Sequence, residues 1–171
     1  MADIDLMVED DEELQENKFL MFKLGSEEYG IDIKRITAIE ELPQITTIPD
    51  MPNFVKGVIN LRGKVIPAVD LRLRFGIEEK EYDDRTCIVI VSVNDNTLGL
   101  IVDIVSEVHE IPTEDIGEPP SFNNTSGNEQ YIAGLAKKGE EVKIILDVEK
   151  IISNEDKTVM EQIEMEQSSR K

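Results

Sequence analysis

The sequence predicts an all-β protein built from two similar units, and three observations support this fold class. Short runs of apolar and β-branched residues are separated by Gly, Asn and Asp, which favour turns. The same order of motifs occurs twice along the chain. The helical signals that follow an aspartate in the core are short, at residues 71–75 and 148–152. Because strands joined by short turns pair as hairpins, we expect antiparallel sheets with only short helices.

Three hairpins can be placed along the chain from the apolar runs and the turn residues between them. In each, two runs typical of strands flank a short stretch rich in Gly, Asn or Asp. The hairpins are predicted at residues 19–33, 58–66 and 86–102, with turns at 25–28, 62–63 and 94–96.

The internal repeat is defined by the spacing of glycines and aspartates. Gly57 precedes Asp70 by 13 residues, and Gly134 precedes Asp147 by the same 13 residues. The second half is longer by about eight residues, which we assign to the polar stretch 121–130. A unit of about 65 residues buries little apolar surface by itself. We therefore expect the two units to pack against each other and to share a groove.

Composition excludes several classes of function. The net charge of −19 opposes binding to nucleic acid, whose phosphates would be repelled. No signal-peptide pattern and no apolar run of about 18 residues occurs, so we expect a cytoplasmic protein without membrane insertion. The single Cys forms no internal disulfide and no thiolate metal site.

The charge also predicts how the chain is divided. Residues 1–17 contain eight acids and no Lys or Arg, which indicates a mobile acidic tail. The other end is polar, with a helical i,i+4 pattern at Val159 and Ile163. The predicted parts are the acidic tail 1–17, the core 18–153 and the polar tail 154–171. Within the core we expect a first unit mainly at 18–80 and a second mainly at 84–153, and strand exchange between them stays open.

Few residues are typical of catalysis or metal binding. Asp70 and Asp147 could be paired carboxylates, but each precedes a short helical pattern, where an N-cap role is favoured. His109 is the only histidine, and we expect it to face solvent on a strand. Cys87 begins an apolar strand and is expected to be packed. We therefore predict no cofactor, no metal site and no enzymatic activity.

A possible binding surface follows from three isoleucines spaced by three residues. Ile33, Ile36 and Ile39 would form a stripe on a helical or near-helical turn. Core packing of all three is one reading. The other is that an exposed subset receives an amphipathic helix in a groove, where a few apolar anchors supply most of the affinity.

The run 54–72, FVKGVINLRGKVIPAVDLR, closely resembles the signature of the CheW-like domain of bacterial chemotaxis. Residues 19–33, 98–103 and 131–152 match the family in order and spacing, so the resemblance covers the core 18–153. It implies two small five-stranded β-barrels of the Src-homology-3 type, related by a pseudo-two-fold axis, with short helices.

The resemblance also implies a function. It implies that this chain is a non-catalytic adaptor that couples the cytoplasmic helical-hairpin tips of chemoreceptors to the regulatory domain of the histidine kinase CheA. Such an adaptor is cytoplasmic and is recruited to membrane-associated receptor arrays. An adaptor for a non-motility chemosensory pathway and a small regulatory enzyme on this scaffold are the alternatives.

Site residues can be carried over by position. Cys87 and Ile88 fall on the implied kinase-binding face. Relatives often carry a carboxylate at the position of Ala38, where it could pair with Arg62, and Glu40 or Glu41 would have to replace it here. The implied receptor-binding residues are Ile33, Ile36, Ile39, Gly57, Arg62, Val105 and Val108.

Overall fold

The computed structural model describes residues 16–93, 95–118 and 131–151. The predictions for most of the acidic tail, for the polar insertion at 121–130 and for the C-terminal tail lie outside these residues.

The described part of the chain consists mainly of strands. The single α-helix in it, α1, is Leu71–Arg74, and 3-10 turns lie at Ile33–Arg35, Thr113–Asp115 and Val148–Lys150. The strands are β1 Lys18–Leu24, β2 Glu27–Asp32, β3 Ile36–Glu41, β4 Val55–Leu61, β5 Lys64–Asp70, β6 Cys87–Val93, β7 Asn96–Val102, β8 Ile104–Glu110, β9 Ile116–Gly117, β10 Ile132–Lys138 and β11 Glu141–Leu146.

The strands form two sheets. One has six strands in the order β8-β1-β2-β11-β10-β9, and the other has five in the order β3-β6-β7-β5-β4. Neighbours are antiparallel except for β2 with β11 and β5 with β7, which run parallel. The three predicted hairpins are present as β1–β2, β4–β5 and β6–β7.

The two repeats exchange their first hairpins. The first repeat contains β1–β5, yet its hairpin β1–β2 lies between β8 and β11 of the second repeat. Hairpin β6–β7 of the second repeat lies in turn between β3 and β5. The six-stranded sheet therefore combines residues 18–32 with 104–146, and the five-stranded sheet uses 36–102. These segments differ from the units expected at 18–80 and 84–153. The strand exchange that the sequence left open is present, and it is reciprocal.

Two equivalent glycines occur where the exchanged hairpins meet their parallel partners. Gly30 pairs with Ile145, and Gly99 pairs with Ala68. A Cβ added to Gly30 would lie 2.9 Å from Met21 Sδ, and one added to Gly99 would lie 2.5 Å from Ile88 Cδ1. Since an added side chain would displace a packed neighbour, both contacts favour glycine.

The sequence of β1 is continuously apolar because both faces of this strand are buried. Phe19 and Met21 pack in a cluster on one face of the six-stranded sheet. Leu20 and Phe22 point the other way, into a central cluster that also contains Val89 from the five-stranded sheet. Successive side chains of a strand alternate between faces, so a strand buried on both faces lacks polar positions. Each fully buried side chain of this size contributes about 1.5–3 kcal/mol.

Both predicted N-caps are confirmed. The Asp70 carboxylate accepts hydrogen bonds from the backbone N–H of Arg72 at 2.9 Å and of Leu73 at 3.3 Å. Its other oxygen accepts the Tyr82 hydroxyl at 2.7 Å. Asp147 accepts the backbone N–H of Glu149 at 3.0 Å. Each aspartate thus satisfies the free N–H groups at the start of its own short helix.

A buried ion pair connects the sheets. Arg72 donates through Nε and Nη2 to the two oxygens of Asp103, at 2.8 Å and 2.6 Å, and both side chains are 14% exposed. The backbone N–H of Gly25, in the β1–β2 turn, donates to the same carboxylate at 2.8 Å. Burial alone raises the pKa of Asp103, but the hydrogen bonds from Arg72 and Gly25 outweigh it and hold the pKa below its ordinary value.

Candidate partner-binding surfaces

Edge strands β3 and β8 occupy equivalent positions in the two sheets, and both pair irregularly with their neighbours. The pairing of β3 shifts by one residue between Ile36 and Ala38, and that of β8 shifts between Val105 and Val108. A bulge of this kind interrupts the alternation of side chains. As a result, Ile36 and Ile39 contact the same central cluster, as do their equivalents Val105 and Val108.

The predicted receptor-binding isoleucines and valines divide into two groups. Ile33, Ile36 and Val105 are 1%, 6% and 6% exposed, so they belong to the core and cannot themselves contact a partner. Ile39 and Val108 are half-buried at the edges of the same cluster. The expected stripe on a helical turn is not formed, because only Ile33 lies in the 3-10 turn and the other two isoleucines lie in β3. Of these apolar residues, only Ile39 and Val108, one from each repeat, are therefore available to a partner. The buried ones support them from within the core.

Gly57 is buried where β4 approaches the segment that follows β3. Its φ is +146°, and an added Cβ would lie 2.1 Å from the carbonyl oxygen of Thr46. Thr46 and Val58 exchange two backbone hydrogen bonds, of 2.8 Å and 2.9 Å, beside it. Gly57 therefore maintains the backbone of this edge, and any effect of a side chain there on binding would be accompanied by a change in the fold.

Arg62 is exposed in the β4–β5 turn with φ at +53°. Its Nη2 lies 3.0 Å from Oε1 of Glu40 in β3, with the two side chains 76% and 30% exposed. Glu40 thus supplies the carboxylate that Ala38 lacks. Because the pair is exposed, it contributes at most about 1 kcal/mol to folding.

The two residues expected on the kinase-binding face differ in exposure. Ile88 is fully buried in the cluster of the five-stranded sheet, so it supports this face and does not form its surface. Cys87 is half-buried, and its Sγ lies 3.4 Å from the carbonyl oxygen of Arg85. Burial raises the pKa of the Cys87 thiol, which keeps it protonated at neutral pH.

His109 does not face solvent as expected. Its side chain is only 14% exposed, its Nε2 lies 2.6 Å from Oε1 of Glu107, and its Nδ1 is buried without a hydrogen-bond partner in the described residues. The sequence could not show this, since the bulge in β8 changes which side chains turn inward.

A cavity of about 320 Å³ lies at the far end of the six-stranded sheet and was not foreseen from the sequence. Three of its charged groups pair with each other, since Lys143 bonds to Glu28 and to Glu141. Val142, which is 47% exposed, lines the cavity. The lining residues are Lys23, Ser26, Glu27, Glu28, Glu141, Val142 and Lys143.

The described residues lack two other kinds of site. Nowhere in 16–93, 95–118 and 131–151 do three or more His, Cys, Asp or Glu residues come together as a metal site. No helix in those segments is long and apolar enough to cross a membrane.

The two sheets with reciprocally exchanged hairpins can be compared with known proteins. The family model for the CheW-like domain matches residues 18–156. The chain belongs to the CheW-like domain family. It is 38% identical over 146 residues to the chemotaxis protein CheW of Klebsiella aerogenes, covering 85% of this chain and 87% of that protein. It is 35% identical to the CheW of Treponema pallidum over 154 residues, 88% of each chain.

A solved structure agrees with the fold of this CheW-like domain. The crystal structure of the scaffolding protein TtCheW from Thermoanaerobacter tengcongensis superposes with a TM-score of 0.74 at 36% identity, over 82% of this chain and 90% of that one. The predicted family and the all-β fold of two Src-homology-3-like units are confirmed. The chain is a non-catalytic chemotaxis scaffold or adaptor, as its family and relatives indicate.

Proposed function

We propose that this chain couples the cytoplasmic tips of chemoreceptors to the regulatory domain of the histidine kinase CheA by binding both. The observation that carries the proposal is the matched pair Ile39 and Val108, half-buried on the equivalent edge strands of the two sheets. Within a family of chemotaxis adaptors, a matched apolar pair is suited to a partner of similar symmetry.

The receptor partner is an antiparallel helical hairpin, whose two helices are themselves related by a near two-fold axis. Apolar side chains on the helices would lie against Ile39 on one side and Val108 on the other. Ile36 and Val105 are buried in the cluster against which both anchors pack, and this packing holds the anchors in place. A rigid surface of this kind loses little conformational entropy on binding.

The kinase partner is assigned to the side on which β6 begins. Cys87 and the rim of the five-stranded sheet would contact the kinase, with Ile88 as buried support. The functional domain is residues 18–153, and recruitment to membrane-associated receptor arrays follows from binding to the receptor.

The proposal is tested by calorimetric titration with a receptor cytoplasmic fragment and, separately, with the CheA regulatory domain from the same genome. We expect saturable one-to-one binding to each. Ile39→Ala and Val108→Ala should each weaken receptor binding about tenfold, since each removes a buried apolar anchor. Val142→Ala, which shortens an exposed valine at the distant cavity, is the matched control and should leave the affinity unchanged.

Thermal unfolding of each variant separates lost binding from lost structure. Absence of binding to both fragments would contradict the proposal, as would equal effects of Val108→Ala and Val142→Ala on receptor affinity.

A further inference from the structure

We propose that His109 makes receptor binding sensitive to pH, because protonation of its imidazole disturbs the end of β8 that carries the anchor Val108. This inference rests on the proposed receptor-coupling function and adds to it a means of regulation. Histidine is the side chain whose charge ordinarily changes between about pH 5 and 8. His109 is the only histidine of the chain, so it is the one residue of that type on which such a response can depend.

The surroundings of His109 suit a neutral imidazole. Its Nε2 lies 2.6 Å from Oε1 of Glu107, and its Nδ1 is buried without a hydrogen-bond partner among the described residues. Because a carboxylate only accepts hydrogen bonds, Nε2 carries the hydrogen and Nδ1 of the neutral ring is an acceptor. In the charged ring both nitrogens are donors, so a buried N–H would have no acceptor. Burying a charged donor without a partner is costly.

The neighbouring charges do little to offset this cost. The Glu107 side chain is 70% exposed, and an ion pair with an exposed carboxylate is weak. In the described part of the chain, β8 lies at the edge of its sheet and pairs with β1 alone. Only Glu107 bonds to the imidazole within that part. The other charged residues on β8, on β1 and on the turn that follows β8 are Lys18, Lys23, Glu110, Glu114 and Asp115.

A local rearrangement of β8 would relieve the charged imidazole and would move Val108. The pairing of this edge strand with β1 already shifts between Val105 and Val108. An edge strand next to a bulge can shift with few broken hydrogen bonds. Since Val108 directly precedes His109, a shift that brings Nδ1 to water also displaces the anchor. Receptor binding therefore favours the neutral imidazole, and the affinity falls as the pH falls.

The equivalent edge of the first repeat lacks this group. Ile39 on β3 is followed by Glu40, whose carboxylate is paired with Arg62. The pH response therefore acts on one side of the proposed receptor surface, at Val108, and leaves the side of Ile39 unaffected.

The binding experiment is calorimetric titration of the full chain with the receptor cytoplasmic fragment at pH 8, 7 and 6. The parent chain should lose affinity about fivefold between pH 8 and pH 6. His109→Gln and His109→Leu stay uncharged, so each should lose this dependence. Titration of the receptor fragment itself is common to all variants. Ile39→Ala is the matched control, which should bind more weakly at each pH and keep the fivefold ratio of the parent.

One polar and one apolar replacement of His109 are used so that the test survives the unfolding of either, which thermal melting detects. Nuclear magnetic resonance of the chain without receptor supplies a second readout. The ring protons of His109 report its protonation, and the backbone amide of Val108 should shift with the same midpoint. The amide of Ile39 is the internal control and should not follow this midpoint.

Two results would overturn the inference alone. One is a receptor affinity that depends on pH equally in the parent and in His109→Gln, and the other is a Val108 amide that does not follow the ring of His109. In both, the parent chain still binds the receptor fragment and the proposed function stands. If the parent chain fails to bind the fragment at every pH, the proposed function and this inference are both overturned.

Discussion

Two corners of the molecule are equivalent in the repeat but carry different polar groups. At the first, Glu40 on β3 pairs with Arg62 in the following β-turn. At the second, His109 on β8 occupies the position of Glu40 and pairs with Glu107, while Gly139 replaces the arginine. The two turn residues have nearly the same φ, +53° and +64°.

At these two corners the φ of the turn residue and the apolar anchors are therefore repeated, whereas the polar groups are not. Ile39 and Val108 are both half-buried at the edge of the central cluster. This division teaches that packing constrains the edge strands equally in both repeats, while the exposed polar side chains are free to diverge. If the proposed receptor hairpin lies against Ile39 and Val108, the unlike polar groups beside them would favour one of its two orientations.

The largest effect on folding is expected at Gly57, where the backbone differs from that of its equivalent, Gly134. Gly57→Ala combines a φ of +146° with a Cβ 2.1 Å from a backbone oxygen and should cost about 3–5 kcal/mol in the free energy of unfolding. Gly134→Ala, at the equivalent position, meets the movable Ile116 Cγ2 at 2.6 Å and the Gly117 oxygen at 2.7 Å, so we expect about 1–3 kcal/mol.

Urea unfolding monitored by circular dichroism measures both costs. Gly139→Ala is the control, since an added Cβ meets nothing within 4 Å and only the φ of +64° opposes it, at about 1 kcal/mol. Equal losses of unfolding free energy for the Gly57 and Gly134 variants would show that β4 and β10 are constrained alike.

A second comparison involves ion pairs at corresponding helix starts. Arg72 follows the cap Asp70, and Glu149 occupies the equivalent position after the cap Asp147. Arg72 pairs with Asp103 and is largely buried, whereas Glu149 pairs with Arg35, one residue beyond the equivalent of Asp103, in an exposed pair with the charges reversed. Asp103→Asn should destabilise the fold by about 2–3 kcal/mol because it leaves Arg72 buried without its counter-charge. Glu149→Gln should cost less than about 1 kcal/mol.

The Arg72–Asp103 pair predicts that the stability of the fold depends on pH. The folded-state pKa of Asp103 lies below its unfolded value, so its contribution is present above about pH 4 and is lost as the pH falls through the folded pKa. Unfolding midpoints of the parent should therefore fall more steeply below pH 4 than those of Asp103→Asn. Parallel curves for the two proteins would exclude this contribution.

The smallest effects on folding are expected at the polar corners themselves. Glu40→Gln and Glu107→Gln each remove one charge from a partly exposed pair, and each should change the free energy of unfolding by less than about 1 kcal/mol. Chemical unfolding of both variants checks this. A loss of 2 kcal/mol at either corner would mean that its polar group contributes to the stability of the fold as strongly as a packed side chain does.

The sequence predicted what depends on local interactions. The hairpins and the caps Asp70 and Asp147 follow from turn residues and from free N–H groups within a few positions along the chain. The spacing of Ile36 and Ile39 was ambiguous, because three residues separate neighbours on a helix and also residues on one face of a bulged strand. Burial of His109 and the Glu40–Arg62 pair depend on contacts between distant strands, which one sequence does not reveal.

The reciprocal exchange of hairpins has a consequence for how the chain is made. Hairpin β1–β2 leaves the ribosome early, yet its partner β11 ends at Leu146, about 114 residues after β2 ends at Asp32. At a synthesis rate of about 5–20 residues per second, its apolar faces wait roughly 6–23 seconds for their partners. The five-stranded sheet uses residues 36–102 and can form first, whereas the six-stranded sheet is completed only after residue 146 is synthesised, so its apolar strands stay open to chaperone binding during translation.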